Sequence, residues 1–391
     1  MLMKALDEDL NKELEKLKSR GLYRTLRTVE GPTGRTVRID GRDFLCFCSN
    51  NYLGLAGDAR LIEAAREAAE RYGCGSGASR LVSGTLEIHR ELERRIASFK
   101  GKEAAILFPT GYMANVGAIP ALAGEDDLVI VDRLDHASII DGCRLSRARM
   151  LVYGHGDLEA MEKILEKRTG FRRRFIVTDS VFSMDGDTAP LAGIVDLAEK
   201  YGAHVMADEA HATGTIGDGG RGLARLLGVE DGVAVSMGTL SKAAGSVGGF
   251  IAGSRALIDC LRNRARSFIY TTAPAPPCCG AALKALDIIE EEPGLRDRLM
   301  RNAVLLREGL ASLGYDTGSS NTQIVPIIAG GSERAVSLSL FLHGRGILVP
   351  AIRPPTVPAG TSRLRITPMA THTKEDIEEL LSALEEARGA E

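Results

Sequence analysis

Lys242 closes the stretch Ser236-Met237-Gly238-Thr239-Leu240-Ser241-Lys242, a lysine among small, hydroxyl-bearing and glycine residues next to an apolar run at 233–237. A second apolar run, 204–207, ends on Asp208-Glu209-Ala210-His211. A lysine at one strand end and an acid at another can hold a pyridine aldehyde between them. The amine forms an imine with the aldehyde, and the acid keeps the ring nitrogen protonated; pyridoxal-phosphate (PLP) chemistry rests on that pairing. Buried small neighbours would lower the amine's pKa. Glu209 competes with Asp208 for a cation, and alternation along the strand favours Asp208 as the inward acid. The plainer reading of Asp208 is a helix cap.

Other side chains suit the same chemistry. His136 lies in a loop past the run 128–131, where its ring can stack on a flat cofactor and move protons. His211 falls on the side of Asp208 if the turn is helical. Gly111 and Tyr112 stand between a strand-like run and a helix, either an ordinary βα turn or a place where backbone N–H groups take a phosphate. Thr239 and Ser241 offer phosphate-binding hydroxyls. Ser183 reads as a ligand of phosphate or ring hydroxyl, or as a turn cap. Arg353, held by prolines, and Arg365, between apolar neighbours, are rival carboxylate clamps. The string Gly73-x-Gly75-x-x-Ala78 formally meets a dinucleotide fingerprint, but a charged helix precedes it where a strand is needed. It reads as a loop near a ligand or a subunit interface.

The elements that must position these residues alternate. Residues 61–71 and 114–122 read as helices; 104–108, 128–131, 175–178, 204–207, 233–237 and 248–252 read as buried strands. Such alternation predicts an α/β fold with a mainly parallel sheet, whose ligands gather outside the strands' carboxyl ends. Asp208, Lys242 and His136 therefore converge. Leu6, Leu10, Leu14 and Leu17 predict an amphipathic helix that needs something to pack on, and 35–40 and 44–48 read as two strands. After the proline-rich break at 273–277, a long helical stretch at 278–313, strands at 323–328, 347–350 and 364–367, and a helix from 374 predict a smaller α+β unit. The expected division is an N-terminal segment 1–50, a large domain 51–275 and a small domain 276–391.

Length, 391 residues, suits a large domain with a smaller one. A net charge of −3 offers no pull toward nucleic acid or an anionic membrane. Arg172, Arg173 and Arg174 read as a solvated turn. The seven cysteines have neither zinc nor redox spacing and predict reduced thiols in the cytoplasm. The acidic N-terminus does not read as a signal peptide, and no run is long enough for a membrane helix.

Six strings, in unbroken order, resemble the α-oxoamine synthase family of PLP enzymes: Ser-Asn-Asn-Tyr-Leu-Gly at 49–54, the Gly/Ser-rich string at 75–84, Asp-His-Ala-Ser at 135–138, Val-Phe-Ser-Met-Asp-Gly-Asp at 181–187, Asp-Glu-Ala-His at 208–211 and Gly-Thr-Leu-Ser-Lys at 238–242. The resemblance implies PLP fold type I, the aspartate-aminotransferase fold. It implies that Lys242 carries the imine, that Asp208 partners the ring nitrogen, and that His136 stacks on the ring. It gives His211 and Ser183 contacts with ring substituents, and Gly111, Tyr112 and Thr239 the phosphate. It makes Arg24 and Thr356 substrate contacts, with Asn50 close by, and makes Tyr270-Thr271-Thr272 a segment lent to the partner subunit's phosphate site in a homodimer. The implied activity is a decarboxylative condensation of an amino acid with an acyl-CoA or acyl carrier-protein thioester. The string Ile-Arg-Pro-Pro-Thr-Val-Pro at 352–358 is similar to that of members joining L-alanine to a pimeloyl thioester for biotin synthesis. Glycine with acetyl-CoA, and a non-catalytic PLP-binding regulator, are the alternatives. Ala212 stands where the family usually has glycine.

Overall fold

A seven-stranded sheet carries the molecule. In the computed structural model, which describes residues 2–19 and 22–389, its spatial order is Ala104–Phe108, Gly249–Gly253, Val233–Thr239, His204–Asp208, Arg174–Asp179, Leu128–Asp132, Arg149–Tyr153. The last five strands run parallel, and Gly249–Gly253 is antiparallel to both its neighbours. Every residue of Leu128–Asp132 is buried, as expected of a strand covered by helices on both faces. Leu128 and Ile130 enter one core, with helices Ala59–Tyr72, Glu87–Lys100 and Pro276–Glu291. Val129 and Val131 enter the other, with Gly111–Leu122, Ala137–Ser146 and Arg255–Arg264. Arg149–Tyr153, a strand not among those expected from the sequence, is the edge of the sheet, and only Tyr153 of its five residues is buried.

A smaller antiparallel sheet joins Val325–Gly330, Ser362–Ile366 and Ala351–Ile352. Its core takes in Leu306, Leu338, Leu380 and, from the N-terminal part, Leu45 and Phe47. The strands Thr36–Ile39 and Arg42–Cys46 form a third sheet with Ile347–Leu348.

Two expectations need correction. The stretch 278–313 is not one helix but two, Pro276–Glu291 and Pro293–Ser312. Pro293 lacks the N–H that would continue the first helix and suits the first position of the second. The arginines at 172–174 are not simply solvated. Arg172 grips the buried Asp127 with two bonds of 3.0 and 2.6 Å, and Arg174 reaches the Leu165 carbonyl at 3.0 Å. The N-terminal helix Leu2–Ser19 leaves Leu6, Leu10, Leu14 and Leu17 exposed. No helix among the described residues is long and apolar enough to cross a membrane.

Candidate active site

Two neighbouring parallel strands, His204–Asp208 and Val233–Thr239, end side by side, with Asp208 opposite Met237. Lys242 follows three residues after the second strand. Its Nζ lies 2.9 Å from His211 Nε2. Burial is the main cause that lowers the Lys242 pKa to about 8; Asp208 and Asp179 oppose the shift and Arg365 adds to it. Part of the amine is therefore neutral near pH 7.

Asp208 is buried. Its Oδ2 accepts from Asn115 Nδ2 at 2.8 Å and its Oδ1 from the Ala210 N–H at 2.9 Å. Glu209 is not a competitor. It turns away to the buried Lys100, with further bonds from the Ala224 N–H at 3.0 Å and the Ser236 hydroxyl at 3.4 Å. The alternation expected along this strand thus separates the two acids.

His211 is fully enclosed, and burial, followed by Lys242 and Arg365, pushes its pKa well down. Its Nδ1 lies 2.7 Å from the Tyr52 hydroxyl, and its carbonyl accepts from Gln323 at 2.7 Å. Arg365 is buried on the small antiparallel sheet. It donates to the Ser183 carbonyl, to Asn50 Oδ1 at 3.1 Å and to the Tyr52 hydroxyl at 3.3 Å. Asn50, Ser183, His211, Lys242 and Arg365 therefore belong to one hydrogen-bonded group.

His136 caps the helix Ala137–Ser146. Its N–H donates to Asp179 at 2.6 Å, and its Nδ1 is 2.7 Å from the Ser138 hydroxyl. The ring borders open solvent, yet the protein around it desolvates it and lowers its pKa, against the pull of Asp208. Gly111 begins the helix Gly111–Leu122 against Thr239: a Cβ there would stand 3.0 Å from Met237 Cε and 3.5 Å from Thr239 Oγ1. Thr239 is itself held by the Gly248 carbonyl at 2.8 Å. Tyr112, next along, donates to Asp141 at 2.6 Å.

The remaining candidates lie on other segments. Thr272 bridges to Ser79, and the Ala273 N–H donates to the Ala78 carbonyl, so Thr271 and Thr272 run with the 76–79 loop. Arg24 is exposed in an irregular segment. Arg353 and Thr356 share one turn, with the Thr356 N–H on the Arg353 carbonyl at 3.1 Å. Tyr52, Asn115 and Asp179 were not singled out by residue type. Tyr52 had a signal in the string 49–54; Asn115 and Asp179 had none, because their partners are distant in the chain.

The donor set fits PLP. The Asp208 carboxyl is buried with no hydrogen-bonded cation among the described residues, a place that a protonated ring nitrogen would fill. The bare backbone at Gly111 leaves a helix N-terminus open to a phosphate beside a buried threonine.

The chain is 52% identical over 374 residues to "8-amino-7-oxononanoate synthase" of Geobacter sulfurreducens, covering 95% of this chain and 96% of that protein. Among solved structures it is similar to a serine palmitoyltransferase of S. paucimobilis with a bound PLP–myriocin aldimine, at 34% identity and TM-score 0.93 over 99% of this chain and 98% of that one. It is also similar to the 8-amino-7-oxononanoate synthase of Francisella tularensis, at 27% identity and TM-score 0.78 over 89% of this chain and 98% of that one. The α/β architecture with its mostly parallel seven-stranded sheet is PLP fold type I. The model of the aminotransferase class I and II family matches residues 42–384, and the chain belongs to that family.

Proposed function

We propose that this chain is a PLP-dependent acyltransferase that joins L-alanine to pimeloyl-CoA, or to a pimeloyl carrier-protein thioester. The products are 8-amino-7-oxononanoate, the free thiol and carbon dioxide, in biotin synthesis. One observation carries the reading: near-full-length identity of about half to a protein named for that product, in a chain whose lysine and buried acid converge. When bound, PLP supplies an electron sink that stabilises negative charge at the amino acid's Cα.

The chain's own groups then have distinct tasks. Lys242, partly neutral, holds the cofactor and afterwards takes the Cα proton on Nζ. Asp208, fixed by Asn115 and the Ala210 N–H, would pair with the ring nitrogen. His136, kept neutral by its surroundings, covers the ring and donates a hydrogen bond to the thioester oxygen as charge develops there. Gly111, Tyr112 and Thr239 hold the phosphate. His211 and Ser183 contact ring substituents. Arg365, already aimed at the lysine's surroundings, binds the amino acid's carboxylate in preference to Arg353. Arg24, Asn50 and Thr356 contact substrate. Thr271 and Thr272 serve the neighbouring site in a homodimer. The division into residues 1–50, 51–275 and 276–391 remains part of this proposal.

The test is thiol release by the purified protein with alanine or glycine and a ladder of acyl-CoA lengths, with the product identified by mass. Alanine with the pimeloyl donor should dominate. A preference for glycine and acetyl-CoA would replace the reading with 2-amino-3-oxobutanoate formation, and PLP binding without thiol release would indicate a regulator.

A further inference from the structure

A cleft of about 440 Å³ opens beside Ser183, between the loop that leads to His136 and the turn at 354–358. Its walls include Leu134, Phe182, Met184 and Val357, side chains that suit a polymethylene chain. Two arginines line it. Arg363 is buried and engaged, its guanidinium donating to Asp185 Oδ1 at 2.6 Å, to the Met184 carbonyl at 3.2 Å and to the Thr361 carbonyl at 3.0 Å. Arg133 is exposed, and its side chain has no hydrogen-bond or ion-pair partner among the described residues. The cleft's acids do not take its place. Asp185 is held by Arg363, and Asp135 is buried with its oxygens on the Asp132 and Asp179 N–H groups.

We propose that Arg133 binds a carboxylate at the far end of the acyl donor, so that this cleft selects thioesters of dicarboxylic acids. The inference rests on the acyl-transfer reading above. The apolar walls take the methylenes, and the free planar fork of Arg133 matches a carboxylate at the end of them. Ser183 links the cleft to the site, since its carbonyl receives Arg365.

The experiment measures thiol release by the holoenzyme at saturating L-alanine with two donors of equal chain length, pimeloyl-CoA and heptanoyl-CoA. The ratio of their kcat/KM values is the readout, so a general loss from poor folding cancels. Wild type should favour pimeloyl-CoA. Arg133→Met should lower that ratio about tenfold or more, and Arg133→Lys should restore part of it. A ratio unchanged in Arg133→Met overturns the proposal. If both donors then lose equally, the cation serves the phosphates of CoA. A wild type that releases no thiol from either donor with alanine refutes the acyl-transfer reading itself, and this inference with it.

Discussion

Lys242 Nζ and His211 Nε2 stand 2.9 Å apart, inside a group of side chains whose protons follow one order when the amine is charged. His211 is neutral because its pKa is pushed well down. A lysine ammonium donates, so Nε2 accepts and Nδ1 carries the hydrogen. Nδ1 then donates to the Tyr52 oxygen, which also accepts from Arg365, and the Tyr52 O–H turns to Asn50 Oδ1 at 3.2 Å.

The amine at the end of this relay carries the chemistry. Lys242→Ala should lose the absorbance of the covalently held cofactor and lower turnover on the order of 10³-fold or more. The checks are the visible spectrum and thiol release. Retained turnover would contradict the assignment.

The same amine should destabilise the cofactor-free protein at neutral pH. Its folded pKa of about 8 lies below the ordinary 10.5, so the folded state binds fewer protons than the unfolded state between those values. Stability then rises with pH through that window, and the penalty of a buried charge is complete below about pH 8. Lys242→Met should therefore raise the Tm of the apoprotein at pH 7 and narrow its advantage by pH 10. Thermal melts at both pH values check the sign.

Asn115 connects the Ser138 hydroxyl and Asp208 Oδ2, each at 2.8 Å. Asn115→Leu removes a charge-assisted bond to the acid and should weaken cofactor binding about tenfold. Ser138→Ala, which leaves the Asp208 bond in place, should have the smaller effect. Titration of the apoprotein with PLP, followed by absorbance, compares them.

His155 lies between Asp132, 3.1 Å from Nδ1, and Asp187, 2.9 Å from Nε2. Hydrogen bonds to these two carboxylates raise its pKa to about 10. The raised value means that its stabilisation is complete below the ordinary 6.5 and fades as pH climbs through about 10. Discounted for partial exposure, the contribution is on the order of 2 kcal/mol. His155→Gln should cost about that much at pH 6 and much less above pH 10, as read from urea unfolding at the two pH values.

Lys100 and Glu209 form an ion pair whose side chains are 3% and 2% exposed. Lys100→Met strands the carboxylate in the core and should cost about 3–5 kcal/mol. Adding Glu209→Gln should recover part of that loss, because the stranded charge is gone. Chemical denaturation of the three proteins measures the difference. The surroundings leave Glu209 little room to move: a Cβ on Gly222, at φ +118°, would come within 2.3 Å of its Oε1.

Much of this site could be read along the chain, and the rest could not, for reasons of range. Lys242 and Asp208 stand at the ends of apolar runs, and local alternation already turned Asp208 inward. Arg149–Tyr153 was passed over although Met150, Leu151, Val152 and Tyr153 make an apolar run; it is an edge strand that buries only the last of them. The leucines of the first helix showed their spacing, yet spacing does not say what covers them, and they remain exposed in the single chain. Asn115 looked ordinary because the acid it serves is 93 residues away, and the string 49–54 marked Tyr52 without showing its partner 159 residues on.

The order of amino acids alone determined the parallel sheet and the strand ends that carry lysine and acid, because burial on two faces writes itself into continuous apolar runs. Tertiary structure alone decided that Lys100 claims Glu209 and that Arg365 meets Tyr52 across 313 residues. Such partners are chosen by which chain segments meet in space, a relation that no local pattern records.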